Sequence, residues 1–148
     1  MRYVSKVKDY IIRFSKKGLT PNEIALAIAV GIFIAFIPFF GTHTITAIAL
    51  ASLLRVNTFI VLLGAQISNP LTFPLQLFIS AEVGSLILNG RFLEIKITGE
   101  ISYLNHYIMP IIIGGLALGI FSSVLSFLLV KRLLIKAKIK EKMRETSP

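Results

Sequence analysis

Apolar residues run along this chain in long blocks, and polar residues gather at the joints between them. Blocks of this length predict helices rather than the short alternation of half-buried strands. Ile24 to Phe40 holds no charge and is about long enough to cross a bilayer at roughly 1.5 Å per helical residue. Thr20 as N-cap, Pro21 at the first helical position and Glu23 in the first turn predict its start, and Pro38 and Gly41 stop it. Two shorter apolar stretches follow, Thr44 to Leu54 and Phe59 to Ile67, parted by Arg55, Val56 and Asn57. Each is nearer half a span than a full one, which predicts a broken helix or a re-entrant hairpin. Lipid cannot satisfy free backbone polar groups, so such a segment belongs inside the protein.

Asn69-Pro70-Leu71-Thr72-Phe73-Pro74 predicts the next helix break, at Pro70 and Pro74. Leu75 to Leu88 resumes helix with Glu82 inside the apolar run, and Asn89-Gly90-Arg91 ends it. From Arg91 to Tyr107 the pattern is polar, and a hairpin or a surface helix fits it equally well. Met109 to Val130 is the clearest full span, and Gly115-Leu116-Ala117-Leu118-Gly119 gives it a GxxxG face. Such a face serves packing within one chain before it serves a dimer seam. Ahead of all this, Tyr3, Val4, Val7, Tyr10, Ile11 and Phe14 recur at helical spacing among lysines and arginines, the pattern of an amphipathic helix that lies in the headgroup plane or, as the second choice, packs on the membrane domain as a solvated helix.

The expected fold is therefore all-α: a polytopic membrane helical bundle of about three to five crossings, including broken or re-entrant half-helices, with an N-terminal amphipathic helix. Its parts are a basic amphipathic helix at 1–20, a membrane core with broken helices at 21–88, a polar connection at 89–107, a transmembrane helix at 108–130 and a basic tail at 131–148. Composition agrees. Hydrophobic residues make up 55% of the 148 positions, mean hydropathy is +0.80, and charged residues reach 16% where a soluble domain carries about 25%.

Charge placement carries more than the net +9. Thirteen lysines and arginines crowd the two ends, and only Arg55, Arg91 and Lys96 lie between. The clusters abut apolar spans, so anionic lipid headgroups explain them better than nucleic acid does. The positive-inside rule puts both termini in the cytoplasm of a multi-pass cell-membrane protein, which demands an even number of crossings. The full-length apolar segments count three, so the segment Thr44 to Ile67 must contribute an odd crossing or one apparent span must turn back.

Cysteine is absent, which removes disulfides, thiolate metal sites and thiol catalysis. His43 and His106 are far apart in sequence with no acidic cluster beside them, so no metal or other cofactor is expected. No nucleophilic triad, P-loop, dinucleotide fingerprint or catalytic carboxylate pair is present, and an enzyme is not expected.

One set of residues in order resembles a known family. Gly31, Phe33 and Ile34 in the first apolar helix are followed by Pro38-x-x-Gly41-Thr42-His43-Thr44, then Arg55-Val56-Asn57, then Asn69-Pro70-x-Thr72-x-Pro74, with Gly84 beyond. This stretch, Pro21 to Leu88, resembles the DUF2062 family of uncharacterised prokaryotic integral membrane proteins. The resemblance implies a bacterial or archaeal membrane protein. Some relatives carry a glycosyltransferase-type domain, which this chain lacks, so a link to lipid-linked sugar or envelope chemistry comes by analogy.

Chemistry in such a chain falls to the polar residues of the broken centre. Arg55 is disfavoured in hydrocarbon by about 2.5–3.5 kcal/mol and must face a cavity, a phosphate or a carboxylate. Pairing with Glu82 and binding an anion or headgroup are equally good expectations for it, and a third is that it snorkels at an interface with no function beyond topology. Asn69 and Thr72, with Gln66 and Gln76, either cap the helix ends that the prolines create or hold a substrate there. His43 either bonds a neighbouring carbonyl or takes part in a proton-coupled step. The substrate-binding expectation is that Arg55, Asn57, Asn69, Thr72 and His43 converge on one interior site framed by Pro38, Gly41, Pro70 and Pro74. Two function classes follow: a small transporter or translocase for an anionic or lipid-linked substrate, or a non-transporting scaffold that anchors an envelope-synthesis enzyme. A second copy of the chain is a further candidate partner.

Overall fold

The computed structural model describes residues 18–38, 42–93 and 104–145. Among them are five α-helices and no strand: α1 (Pro21–Phe36), α2 (His43–Leu53), α3 (Thr58–Ala65), α4 (Phe73–Asn89) and α5 (Leu104–Glu145). The expected amphipathic helix at 1–20 falls almost wholly outside the described residues, as do Gly41 and most of the polar connection.

Local chemistry sets the helix ends. Thr20 Oγ1 accepts the Glu23 amide at 3.2 Å and Glu23 Oε2 accepts the Thr20 amide at 2.7 Å, a reciprocal cap that starts α1 where Pro21 needs no amide partner. The helix stops at Phe36, two residues ahead of Pro38, because proline disfavours helical backbone in the residue before it. The uncharged run Ile24 to Phe40 thus gives a helix of 16 residues, about 24 Å, short of the roughly 30 Å hydrocarbon layer. Pro74 lies in the first turn of α4 and begins a helix rather than breaking one. Gly90, at φ 65, closes α4 in the left-handed conformation that glycine adopts without steric cost. The last helix outruns its apolar segment and continues through the basic stretch to Glu145.

Small residues fill the interior. Ala25, Ala27, Ala29, Ala35, Ala47, Ala51, Ala81, Ser80 and Ser85 are buried, and so are six glycines of α1, α3, α4 and α5. Larger aliphatic residues join them at Ile24, Val30, Ile32, Ile34, Ile60, Val61 and Leu134, but many large apolar side chains point outward: Ile45, Leu53, Phe59, Leu75, Phe78, Ile87, Phe121, Leu125 and Leu129 are all exposed. Backbones come close in consequence. A Cβ on Gly64 would meet the Ile28 carbonyl at 2.7 Å, and one on Gly31 would run into the Val61 carbonyl, so α1 and α3 cross at a glycine pair. A Cβ on Gly84 would strike the Pro110 carbonyl and one on Gly114 the Ser80 carbonyl, which locks α4 onto α5 in the same way. The GxxxG face of α5 is used within the chain: Gly115 lies against Phe36 and Pro38, and Gly119 against Phe33.

These contacts fix directions. Phe36 meets α5 at Gly115 and Phe33 meets it further on at Gly119, so α1 runs antiparallel to α5. Ser80 meets α5 at Gly114 and Gly84 meets it earlier at Pro110, so α4 is antiparallel to α5 as well. From their shared level at Gly114–Gly115, α1 extends toward the C-terminal half of α5 and α4 toward its N-terminal half. The two short helices lie in series along one long one. Leu19, Ile24, Val130 and Leu134 share one hydrophobic cluster, which brings the start of α1 beside the basic end of α5.

Replacing Gly84 or Gly31 by alanine should lower stability by about 1–3 kcal/mol, because backbone rather than a movable side chain occupies the space. Gly119→Ala, whose nearest neighbour is the Phe36 Cβ at 3.2 Å, should cost less. Thermal melts of the three variants in one detergent check the ranking.

Candidate functional site

Between α2 and α3 the chain reverses in a tight closure. The Arg55 amide donates to the Ser52 carbonyl at 3.2 Å and the Val56 amide to the Ala51 carbonyl at 3.0 Å, the paired bonds of a Schellman motif, with Val56 packed back on the core cluster. The motif needs a left-handed residue at Arg55, and its φ is 54. Glycine is the usual occupant, since a side chain there costs roughly 1–2 kcal/mol. The Arg55 side chain is exposed, with exposed Leu53 and Leu54 beside it. Asn57 follows as the N-cap of α3, its Oδ1 accepting the Ile60 amide at 3.2 Å.

The second break is a self-contained turn. Asn69 Oδ1 accepts the amides of Leu71 and Thr72, each at 3.0 Å. Thr72 Oγ1 accepts the Asn69 amide at 3.0 Å and donates to the Ile67 carbonyl at 2.7 Å. Both side chains thus carry the chain around Pro70 into α4. Glu82 Oε2 accepts the Leu93 amide at 3.1 Å, which ties the segment after α4 back onto that helix. Its expected partner is elsewhere: Arg55 and Glu82 form no ion pair, because Arg55 sits at the tip of the α2–α3 hairpin and Glu82 faces the far end of α4.

Nor do the five expected site residues gather at one point. Arg55 and Asn57 share the hairpin tip, Asn69 and Thr72 share the turn before α4, and His43 opens α2 at the end away from Arg55. The 11 residues of α2 set His43 and Arg55 about 16 Å apart. A different pair stands out. His43 Nε2 and Gln76 Oε1 are buried without any hydrogen-bond partner. Gln76 lies one helical turn before Ser80 on α4, and Ser80 is the residue that meets α5 beside Gly115 and Pro38. Each orphan atom thus adjoins a helix break, His43 after Pro38 and Gln76 after Pro70. Among the sequence signals, the proline spacing pointed to these breaks, but Gln76 was one polar residue among several.

A family model described as an uncharacterized protein conserved in bacteria, DUF2062, matches residues 5–143. The chain belongs to that family. The match runs well beyond Pro21–Leu88 on both sides, so the DUF2062 unit takes in the long α5 and most of its basic end. Neither the curated proteins nor the solved structures contain a match to this chain.

Within this DUF2062 fold, Arg55 and Glu82 should behave as independent sites. In a double-mutant cycle of Arg55→Gln and Glu82→Gln, the coupling energy read from denaturation should stay below about 0.5 kcal/mol. Asn69→Ala should lower stability by about 1 kcal/mol through loss of the amide bonds it accepts, measured against wild type in the same melts.

Proposed function

We propose that this protein is a multi-pass membrane protein that moves an anionic or lipid-linked substrate along the junction of α1, α4 and α5. One helix, α5, is long and apolar enough to span a bilayer: its segment Tyr107–Ile139 contains a window of mean hydropathy 2.3, of which 17% is buried. Support for further membrane embedding comes from the distribution of side chains, with many alanines, glycines and serines inside and many large apolar groups outside. A water-soluble monomer rarely exposes apolar patches beyond a few hundred Å². Lipid, by contrast, gives no hydrophobic drive between helices and rewards small-residue contacts.

In this reading α1 and α4, each too short alone, together make one composite crossing, and α5 makes the return. The count is then even, and both basic ends share the cytoplasmic face as the positive-inside rule requires. The observation that carries the transport reading is the pair of unpartnered buried atoms, His43 Nε2 and Gln76 Oε1, next to the helix breaks. A buried polar atom without a partner is disfavoured by about 1–3 kcal/mol, and a passing substrate or water relieves that. Broken helices at mid-depth are the arrangement in which transporters place their sites.

A second reading, a membrane scaffold for an envelope-synthesis enzyme, draws on a different observation. Asn57, Asn69 and Thr72 spend their polar atoms on their own backbone, and the glycine contacts close the interior. Proteoliposomes loaded with fluorescent phosphatidylglycerol separate the two. Transport predicts protein-dependent movement between leaflets that His43→Ala slows about tenfold or more, the scale of one lost polar contact at about 1.4 kcal/mol. No movement, together with stoichiometric co-purification with a glycosyltransferase, favours the scaffold. For topology, a tag after Pro148 should be labelled only in permeabilised cells, and labelling of intact cells contradicts the composite crossing.

A further inference from the structure

Arg55 remains unexplained by packing. It occupies the one non-glycine position among the described residues with a left-handed backbone, where glycine would fit without strain. Its side chain is exposed, and no described residue pairs with it; of the carboxylates in α1 and α4, Glu82 is engaged by the Leu93 amide and Glu23 by the Thr20 amide. Around it stand Leu53, 77% exposed, with Leu54 and Phe59 also exposed. A cation ringed by outward-facing apolar side chains matches the boundary between acyl chains and headgroups, where a guanidinium can hold a phosphate through two parallel hydrogen bonds.

The depth of the hairpin agrees. The short connections make α2 antiparallel to α1 and α3 antiparallel to α2, so α3 runs alongside α1 in the same direction. Gly64 sits at the level of Gly31. Stepping back from that level at roughly 1.5 Å per residue, Asn57 lies about 10 Å away and Pro21 about 15 Å. The tip therefore lies within about 5 Å of the same depth as the start of α1, the end that adjoins Leu134 and the lysines of α5.

We propose that Arg55 binds the phosphate of a phospholipid in the cytoplasmic leaflet, anchoring the α2–α3 hairpin to the membrane surface. This rests on the membrane reading above but not on transport. The chemistry is that of an anionic phosphodiester; the flanking leucines select a lipid over a free anion, because a free anion has no use for them.

The test uses the full chain as wild type, Arg55→Gly and Arg55→Lys, in neutral maltoside detergent, with phosphatidylglycerol added or withheld. Arg55→Gly should melt about 2–4 °C higher without lipid, since the backbone strain is gone. Native mass spectrometry should find one fewer bound phosphatidylglycerol on Arg55→Gly than on wild type, with Arg55→Lys between them. Equal lipid occupancy for wild type and Arg55→Gly overturns the proposal. Stabilisation of wild type, but not of Arg55→Gly, by inorganic phosphate alone overturns the lipid source in favour of a free-anion site. If the membrane reading itself is wrong, the purified wild type stays soluble and monodisperse without detergent, an outcome distinct from either.

Discussion

Close approach of backbones at small residues is the constraint on which the rest of this structure depends. Gly31 and Gly64 let α3 press onto α1, and Gly84, Pro110 and Gly114 let α4 press onto α5, at separations a single added Cβ would disturb. With glycine, alanine and serine taking much of the interior beside Ile24, Ile34, Ile60, Val61 and Leu134, many of the large side chains face outward. The apolar exterior and the thin, sealed interior are thus two sides of one choice. In water that choice would forfeit the hydrophobic drive for folding, whereas in lipid, where leucine gains nothing by burial, dispersion and backbone proximity suffice.

The same contacts arrange the breaks. Because α1 and α4 meet α5 at neighbouring glycines and then diverge, the chain has to reverse twice between them, once from α1 into α2 and once from α2 into α3, before it bends around Pro70 into α4. Every reversal exposes backbone groups, and the sequence supplies a side chain for most: Thr20 and Glu23 at the start of α1, Asn57 before α3, Asn69 and Thr72 before α4. Where capping is complete, the polar residue is spent on structure. His43 Nε2 and Gln76 Oε1 are left over, as is the guanidinium of Arg55, and these remainders carry the functional proposals.

Much of this was legible in the residues. The helix starts at Thr20–Pro21 and the stop at Gly90 follow from local chemistry, and the half-length stretches on either side of Arg55 follow from the spacing of apolar blocks. The family resemblance held and proved wider than Pro21–Leu88, since the match reaches residue 143. What the sequence could not give was the relative placement of elements. Hydropathy treats Ile24–Phe40 and Leu75–Leu88 as two separate spans, and only the meeting of Phe36 and Ser80 at Gly114–Gly115 puts them in series. The expected pairing of Arg55 with Glu82 failed for a similar reason. Opposite charges in apolar stretches suggest each other, but the Leu93 amide reaches Glu82 first, and the hairpin carries Arg55 to the other end.

The central claim is that the outward-facing leucines and phenylalanines contact lipid. The chain contains no cysteine, so a single spin label can be placed at will in the protein reconstituted into bilayers. Collision rates with oxygen, which concentrates in hydrocarbon, and with a water-soluble nickel chelate should be measured at Phe78, Phe121 and Leu125 on the outside and at Ala51 inside. The account predicts high oxygen and low nickel accessibility at the three outer sites, and low values of both at Ala51. Ready access of the nickel chelate to Phe121 and Leu125 would contradict it.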